Sequence, residues 1–188
     1  LNGDTVAVRV AVLRGLGETG ADSPDVLRAL QPLLEDEDPR VCVAAQSAAA
    51  HLAHDVPARV RRLTDMLAHE DPRVRAAAAE ALGRLGKAGR PASATLLARL
   101  RDPSNRVRAS SAQALCRIGD LDPRALSGVA ALARRDPLVW VRCAAAQMMG
   151  SLGRGAAPVL DELRAVASAD PDPDVRAAAA DAVKAASQ

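Results

Sequence analysis

Tyrosine and phenylalanine are absent from this chain of 188 residues, and Trp140 is its single aromatic residue. A nucleic-acid surface built on base stacking needs several aromatic platforms, so the sequence argues against that mode of binding. Cysteine is almost as scarce. Cys42, Cys116 and Cys143 stand far apart and form no CxxC or other ligand spacing. That excludes a disulfide framework and a zinc site from the reading, and makes reduced thiols in a cytoplasmic protein the expectation. No apolar run approaches the roughly 18 residues of a membrane span, and nothing reads as a signal peptide. Neither sign of charge is in excess: 25 Lys+Arg against 23 Asp+Glu leaves +2. This balance points to neither a nucleic-acid nor a membrane partner. Lysine occurs only at Lys87 and Lys184, an arginine bias that genomic base composition explains as readily as function does.

The apolar 49% of the chain is mostly Ala, Leu and Val, small side chains that suit closely packed helices. These residues recur with a long period. Val8, Val41, Val74, Val107, Val141 and Val175 each open a similar stretch, among them "VRAAAAEALGRLG", "VRASSAQALCRIG" and "VRCAAAQMMGSLG", at intervals of 33 or 34 residues. In "EDPRVRAAAAEALGRLG", Asp71 is placed to cap the first turn of a helix and Pro72 to occupy its first position, where no amide hydrogen is needed. Gly86 is placed to end that helix in a left-handed conformation. Asp38-Pro39, Asp102-Pro103, Asp136-Pro137 and Asp170-Pro171 read as the same opening in the other units.

A second, shorter helix fits between these, starting near Pro24, Pro57, Pro91, Pro123 and Pro158, with apolar positions three or four apart as in Val159, Leu160, Leu163 and Val166. Each unit is therefore a hairpin of helix A and helix B, which cannot bury its apolar face alone. The expected fold is all-α: an α-solenoid of about five and a half stacked antiparallel helix hairpins forming a right-handed superhelix. The half repeat covers 1–20, and the repeats cover about 21–53, 54–86, 87–119, 120–153 and 154–188.

The period, the "DPxVRxxAAxALGxLG" signature and the Pro-started preceding helix resemble HEAT repeats, in particular the short bacterial type first associated with phycobilisome lyases. The resemblance covers nearly the whole chain and specifies the fold, whereas this fold hosts scaffolds, adaptors and a few enzymes. It implies a hydrogen-bonded ladder between neighbouring repeats, built from the turn Asp and the Arg after Val. The matching positions are Asp71 with Arg75, Asp102 with Arg108, Asp136 with Arg142 and Asp170 with Arg176. Val41-Cys42 lacks the Arg, so an interruption is expected there. The first helix B, with Val6, Val8, Val10, Val12, Leu13 and Leu16, is too apolar for a terminal repeat, which implies a longer chain. The last, with Asp181 and Lys184 among alanines, suits an end cap.

The outward positions of the B helices, expected to line the concave face, are where a partner would be met. One column reads Ala7, Arg40, Arg73, Arg106, Trp140 and Asp174. A second reads Arg14, Ser47, Glu80, Gln113, Gln147 and Asp181, and a third Glu18, His51, Arg84, Arg117, Ser151 and Ala185. The column between them is small: Ala11, Ala44, Ala77, Ser110, Ala144 and Ala178. Arg40, Arg73, Arg106, Arg84 and Arg117 thus form a basic stretch above a shallow trough. It would suit an acidic peptide or a phosphate backbone, but the near-neutral net charge favours a merely solvated face.

Catalysis finds no foothold in this pattern. The resemblance extends to deoxyhypusine hydroxylases, which carry His-Glu pairs just after Val-Arg for a di-iron centre, but Ala76-Ala77, Ala109-Ser110 and Cys143-Ala144 stand at those positions here. HEAT-like DNA glycosylases use an aromatic-lined basic cleft that one Trp cannot build, and no residues establish a lyase activity. His51, His54 and Asp55 in "HLAHD" offer two metal ligands without the others a site needs. Asp170, Asp172 and Asp174 begin like a calcium loop but meet Val175 where the turn requires Gly. "EDED" at 35–38 reads as a helix N-terminal turn, and no phosphate loop, nucleophile elbow or triad is present. The sequence reads as a non-catalytic scaffold without metal or cofactor, binding a protein or another domain of its own polypeptide. The alternative is an accessory or regulatory domain of an enzyme.

One unit departs from its siblings. In "DPLVWVRCAAAQMMGSLG", Met149, Met148 and Cys143 replace Leu82, Ala81 and Ala76, which reads as bulkier packing. Trp140 replaces an Arg, and Leu138 and Val139 look like an enlargement of its turn. Trp140 either folds back over Met148 or a neighbouring repeat, or anchors a partner.

Overall fold

The computed structural model describes residues 2–19, 29–30, 32–33, 36, 38–52, 56–119 and 122–187. Among these the chain is helical throughout. The B helices are α1 (Asn2–Thr19), α2 (Pro39–Leu52), α4 (Pro72–Arg84), α6 (Asn105–Ile118), α8 (Val139–Ser151) and α10 (Pro173–Ser187). The A helices between them are α3 (Val56–Met66), α5 (Ser93–Arg99), α7 (Pro123–Arg135) and α9 (Leu160–Ala169). Each B helix packs on the next and on its own A helix, which makes the molecule an α-solenoid.

The anchoring valines set the inward side of each B helix. Val41, Val74, Val107, Val141 and Val175 are buried, together with the alanines four residues on, Ala45, Ala78, Ala145 and Ala179. Val8 is the exception: in this chain no A helix packs over α1, so Val8 and Val12 are exposed while Val6 and Leu13 face α2. At the position of those alanines α6 carries Ser111, whose side chain is wholly buried and whose hydroxyl has no hydrogen-bond partner. An unsatisfied buried hydroxyl costs roughly 1–3 kcal/mol. Ser111→Ala, which leaves the shape of its siblings, therefore raises the unfolding free energy by about 1 kcal/mol. Urea denaturation followed by circular dichroism measures it, and a loss of stability would show that the hydroxyl is satisfied.

Helix ends follow their local chemistry. Asp71 caps α4 by accepting from the Arg73 amide at 2.7 Å, with Pro72 at the first turn, and Asp38 accepts from the Arg40 amide in the same way. Asp122 with Pro123 opens α7 on the same plan. Gly86, Gly119 and Gly153 take the left-handed conformation, with φ of 53°, 66° and 51°. Pro91 and Pro158 sit in 3₁₀ turns (Gly86–Ala92 and Gly153–Val159) that lead into α5 and α9. Pro24, His54, Asp55 and most of the "EDED" run lie outside the described residues.

Two kinds of Asp-Pro are present, which corrects their reading as one opening. Asp38 and Asp71 stand three residues before the anchoring Val and cap helices. Asp102, Asp136 and Asp170 stand five before it and do not: α6 and α8 are entered from Ser104 and Leu138. Their carboxylates instead accept the amides of Ser104, Leu138 and Asp172 at 2.9 to 3.0 Å, and their outer lone pairs face the preceding repeat. Leu138 and Val139 are consequently no insertion, because the turns after Asp102 and Asp170 have the same length.

These carboxylates are the ladder. Arg75 donates from Nε and Nη2 to Asp102, both at 2.8 Å, Arg108 does so to Asp136 at 2.7 and 3.0 Å, and Arg142 to Asp170 at 2.8 and 3.1 Å. Nη1 of each turns back to the carbonyls of its own turn, as in Arg108 to Asp102 and Pro103, or Arg176 to Asp170 and Pro171. Each rung therefore couples the Arg of one repeat to the Asp of the next, in the bidentate geometry of strong charge-assisted pairs. Arg9 reaches Asp36, which stands in the same register.

Asp71 is not a member of the ladder, a second correction to the expected pairs. Between α2 and α4 both partners are exchanged at once, Arg for Cys42 and Asp for His69. His69 keeps half of the lost role, since its Nδ1 accepts the Asp71 amide at 3.0 Å. The Asp71 carboxylate is bound by Arg73 of its own helix. Among the described residues the buried apolar side chains also separate here, into one cluster between α1 and α2 and a larger one from Val60 to Ala186.

Candidate functional site

The outward B-helix columns lie side by side on one face. Arg40, Arg73, Arg106, Trp140 and Asp174 are all exposed, as are Arg14, Arg84, Arg117 and Gln147, while Glu80 and Gln113 are half-buried. Between them Ala44 is buried and Ala77 and Ala144 are half-buried, which forms the expected floor. Ser110 donates to Glu80 at 3.2 Å and ties the floor of one repeat to the wall of its neighbour. The side chains of Ser47, Glu18 and His51 lie outside the described residues.

Three sectors follow along this face. The first is a recess of about 170 Å³ across α1, α2, α4 and α6, floored by Val10, Val43, Ala44 and Ala77 and walled by Arg14, Arg40, Arg73, Arg84 and Arg106. The arginines differ in partnership. Arg40 is held by Asp38 and Arg73 by Asp71, each at 2.7 Å, and the Arg40 guanidinium draws the Asp38 carboxyl down to about 2. No carboxylate pairs with Arg14, Arg84 or Arg106 among the described residues. Desolvation, and then the positive charges of Arg14 and Arg117, lower the Arg84 pKa against the opposing pull of Glu80.

The second sector is apolar. Leu138, Val139 and Trp140 are 37%, 42% and 48% exposed, and with Pro137, Cys143, Ala144, Gln147 and Asp174 they line a shallow recess of about 600 Å³. Trp140 does not fold back into the packing, so nearly half of its surface meets solvent. Met149 is fully buried, whereas Met148 is partly buried against the core. The third sector is acidic, with Asp174 and Asp181 on α10 lining the continuation of the same recess.

Nothing in this face resembles an activated nucleophile. Burial pushes the Cys116 thiol up to about 12, and desolvation followed by the charges of Asp174 and Asp172 raises that of Cys143. Thiols of this kind stay protonated at neutral pH. No group of three His, Cys, Asp or Glu side chains converges among the described residues, and no described helix is long and apolar enough to cross a membrane.

The sequence columns located the exposed residues but omitted Arg14 from the basic group, because Arg14 belongs to the column of Glu80 rather than that of Arg73 or Arg84. They also passed over a larger groove of about 810 Å³ on the A-helix side, beside Leu97, Arg124 and Gly128.

A family profile described as HEAT repeats matches residues 1–83, 43–116 and 93–184. The chain belongs to the HEAT-repeat family. Solved structures similar to this HEAT-repeat protein are repeat proteins made by design or engineering. One engineered protein from a structural genomics consortium shares 19% identity at a TM-score of 0.61, over 97% of this chain and 91% of its own. Another shares 20% at 0.58, over 96% of this chain and 55% of its own. A designed armadillo repeat protein shares 17% at 0.51, over 94% and 92%. A search of curated proteins finds no match. At these identities the structures speak for the fold alone, a repeat solenoid of the kind typically used as a protein-interaction scaffold.

Proposed function

We propose that this HEAT-repeat protein is a non-catalytic scaffold that binds a protein, or another domain of its own polypeptide, on the concave B-helix face, with Trp140 as the principal anchor. The observation that carries this reading is the exposed cluster of Leu138, Val139 and Trp140, in a register where the other repeats present Arg or Asp. Large exposed apolar side chains with a polar surround mark interaction surfaces, and Trp is enriched among residues that dominate binding energy. Arg40, Arg73, Arg106, Arg84, Arg117, Glu80, Gln113 and Gln147 supply the polar surround, in which complementarity sets the partner rather than most of the affinity.

Trp140→Ala tests the reading. Its effect on stability is expected to stay within about 0.5 kcal/mol, as for a surface substitution. Wild-type and variant proteins immobilised in parallel are then compared by mass spectrometry for the proteins they retain from the source cells. A partner retained by wild type and lost from Trp140→Ala supports the anchor. Identical retained sets, or a stability loss of about 3 kcal/mol, would refute it.

A further inference from the structure

The arginine recess across α1, α2, α4 and α6 has an electrostatic composition that the fold does not require. Elsewhere in this molecule arginines close on carboxylates in fork geometry: Arg75, Arg108 and Arg142 do so in the ladder, and Arg40 and Arg73 at helix starts. Arg106 occupies the column of Arg40 and Arg73, but Ser104 stands two residues before it where they have Asp38 and Asp71, so its local partner is missing. Arg84 closes α4 with only Glu80 one turn away, and that carboxylate already accepts from Ser110. Arg14 faces the same recess from α1.

Like charges gathered in a desolvated recess repel one another and disfavour the folded state. The depressed basicity of Arg84 agrees with that crowding. Such a cluster relaxes when anions enter it. The guanidinium fork matches a planar carboxylate in two parallel hydrogen bonds, and the walls of Val10, Val43, Ala44 and Ala77 accept the methylene stem of an acidic side chain.

Resting on the scaffold reading above, we infer that this recess binds an acidic segment of the protein partner, with Arg14, Arg84 and Arg106 closing on successive Asp or Glu carboxylates. Arginines contributed by successive B helices meet charges repeated along a chain better than they meet one isolated phosphate. A segment of this kind continues toward the apolar sector at Trp140, which precedes the acidic end at Asp174 and Asp181.

The test uses a fluorescein-labelled octaglutamate peptide, read by fluorescence anisotropy against the full chain. Wild type binds it, Arg84→Glu with Arg106→Glu weakens binding at least tenfold, and Arg124→Glu with Arg135→Glu on the A-helix side changes it less than twofold. The recess double variant is also expected to melt no lower than wild type, because it removes repulsion, which separates lost recognition from lost folding. Single-stranded DNA and inorganic phosphate are run in parallel. Tighter binding of wild type to DNA than to the peptide, competition by millimolar phosphate, or equal weakening by the two double variants would each overturn the inference. Trp140→Ala leaves octaglutamate binding unchanged, so failure at the recess and failure at the anchor are read separately.

Discussion

Arg142→Leu lowers the unfolding free energy by roughly 3–5 kcal/mol, the cost of stranding one member of a buried ion pair. Asp170 is buried, and its two carboxylate oxygens take Nε and Nη2 of Arg142 at 2.8 and 3.1 Å. Leucine removes both donors, and also the bond from Nη1 to the Asp136 carbonyl at 3.0 Å. What remains is a carboxylate between two repeats with only the Asp172 amide to satisfy it. Urea denaturation at pH 7 measures the difference. A loss below about 1 kcal/mol would place the rung among screened surface pairs and deny the ladder its structural role.

The same variant makes a prediction in pH. Hydrogen bonding from Arg142 holds the Asp170 carboxyl below its ordinary range, outweighing desolvation, with the Asp172 amide and the charges of Arg142 and Arg176 acting in the same direction. A carboxyl whose pKa is lower folded than unfolded contributes stability that is complete above the unfolded value of about 3.9. That contribution disappears as pH falls through the folded value. The gap between wild type and Arg142→Leu is therefore widest near neutrality and narrows as the solution is acidified below about pH 4. A gap independent of pH would assign the loss to side-chain packing and not to charge.

The fold was legible because each repeat writes the same physical instructions: a buried Val, alanines one turn on, a left-handed Gly and a proline before helix A. The ladder was only half legible. "DP" reads identically at Asp71-Pro72 and Asp102-Pro103, yet the first carboxylate caps its own helix and the second waits for the Arg of the preceding repeat. Distance to the anchoring Val distinguishes them, three residues against five, and on that count Asp36 joins the ladder while His69 drops out. The paired exchange of Cys42 and His69 then becomes one event at one interface. The exposure of Trp140 followed from its column, whereas the arginine recess did not, since Arg14 and Arg84 lie 70 residues apart in sequence and meet only through stacking of the repeats.

Gly83→Val is expected to lose about 3 kcal/mol, the upper part of the usual range for overpacking. Composition alone argues the opposite, because replacing a mid-helix glycine ordinarily relieves a penalty of about 1 kcal/mol. The site reverses the sign. A Cβ on Gly83 would stand 2.9 Å from the Ala114 Cα and 3.2 Å from its Cβ. The obstacle is therefore the backbone of α6, which cannot swing aside as a side-chain tip could. At the equivalent contact between α8 and α10, a Cβ on Gly150 would meet the Ala182 Cα at 3.3 Å. Between α6 and α8 the matching positions are Cys116 and Met148, and these helices approach less closely than α4 and α6 or α8 and α10. The bulk of that pair is what a wider spacing accommodates, so Cys116→Val is expected to be milder than Gly83→Val despite lying in the same column. Melting of both variants against wild type decides the matter, and equal losses would show that helix spacing is not governed by this column.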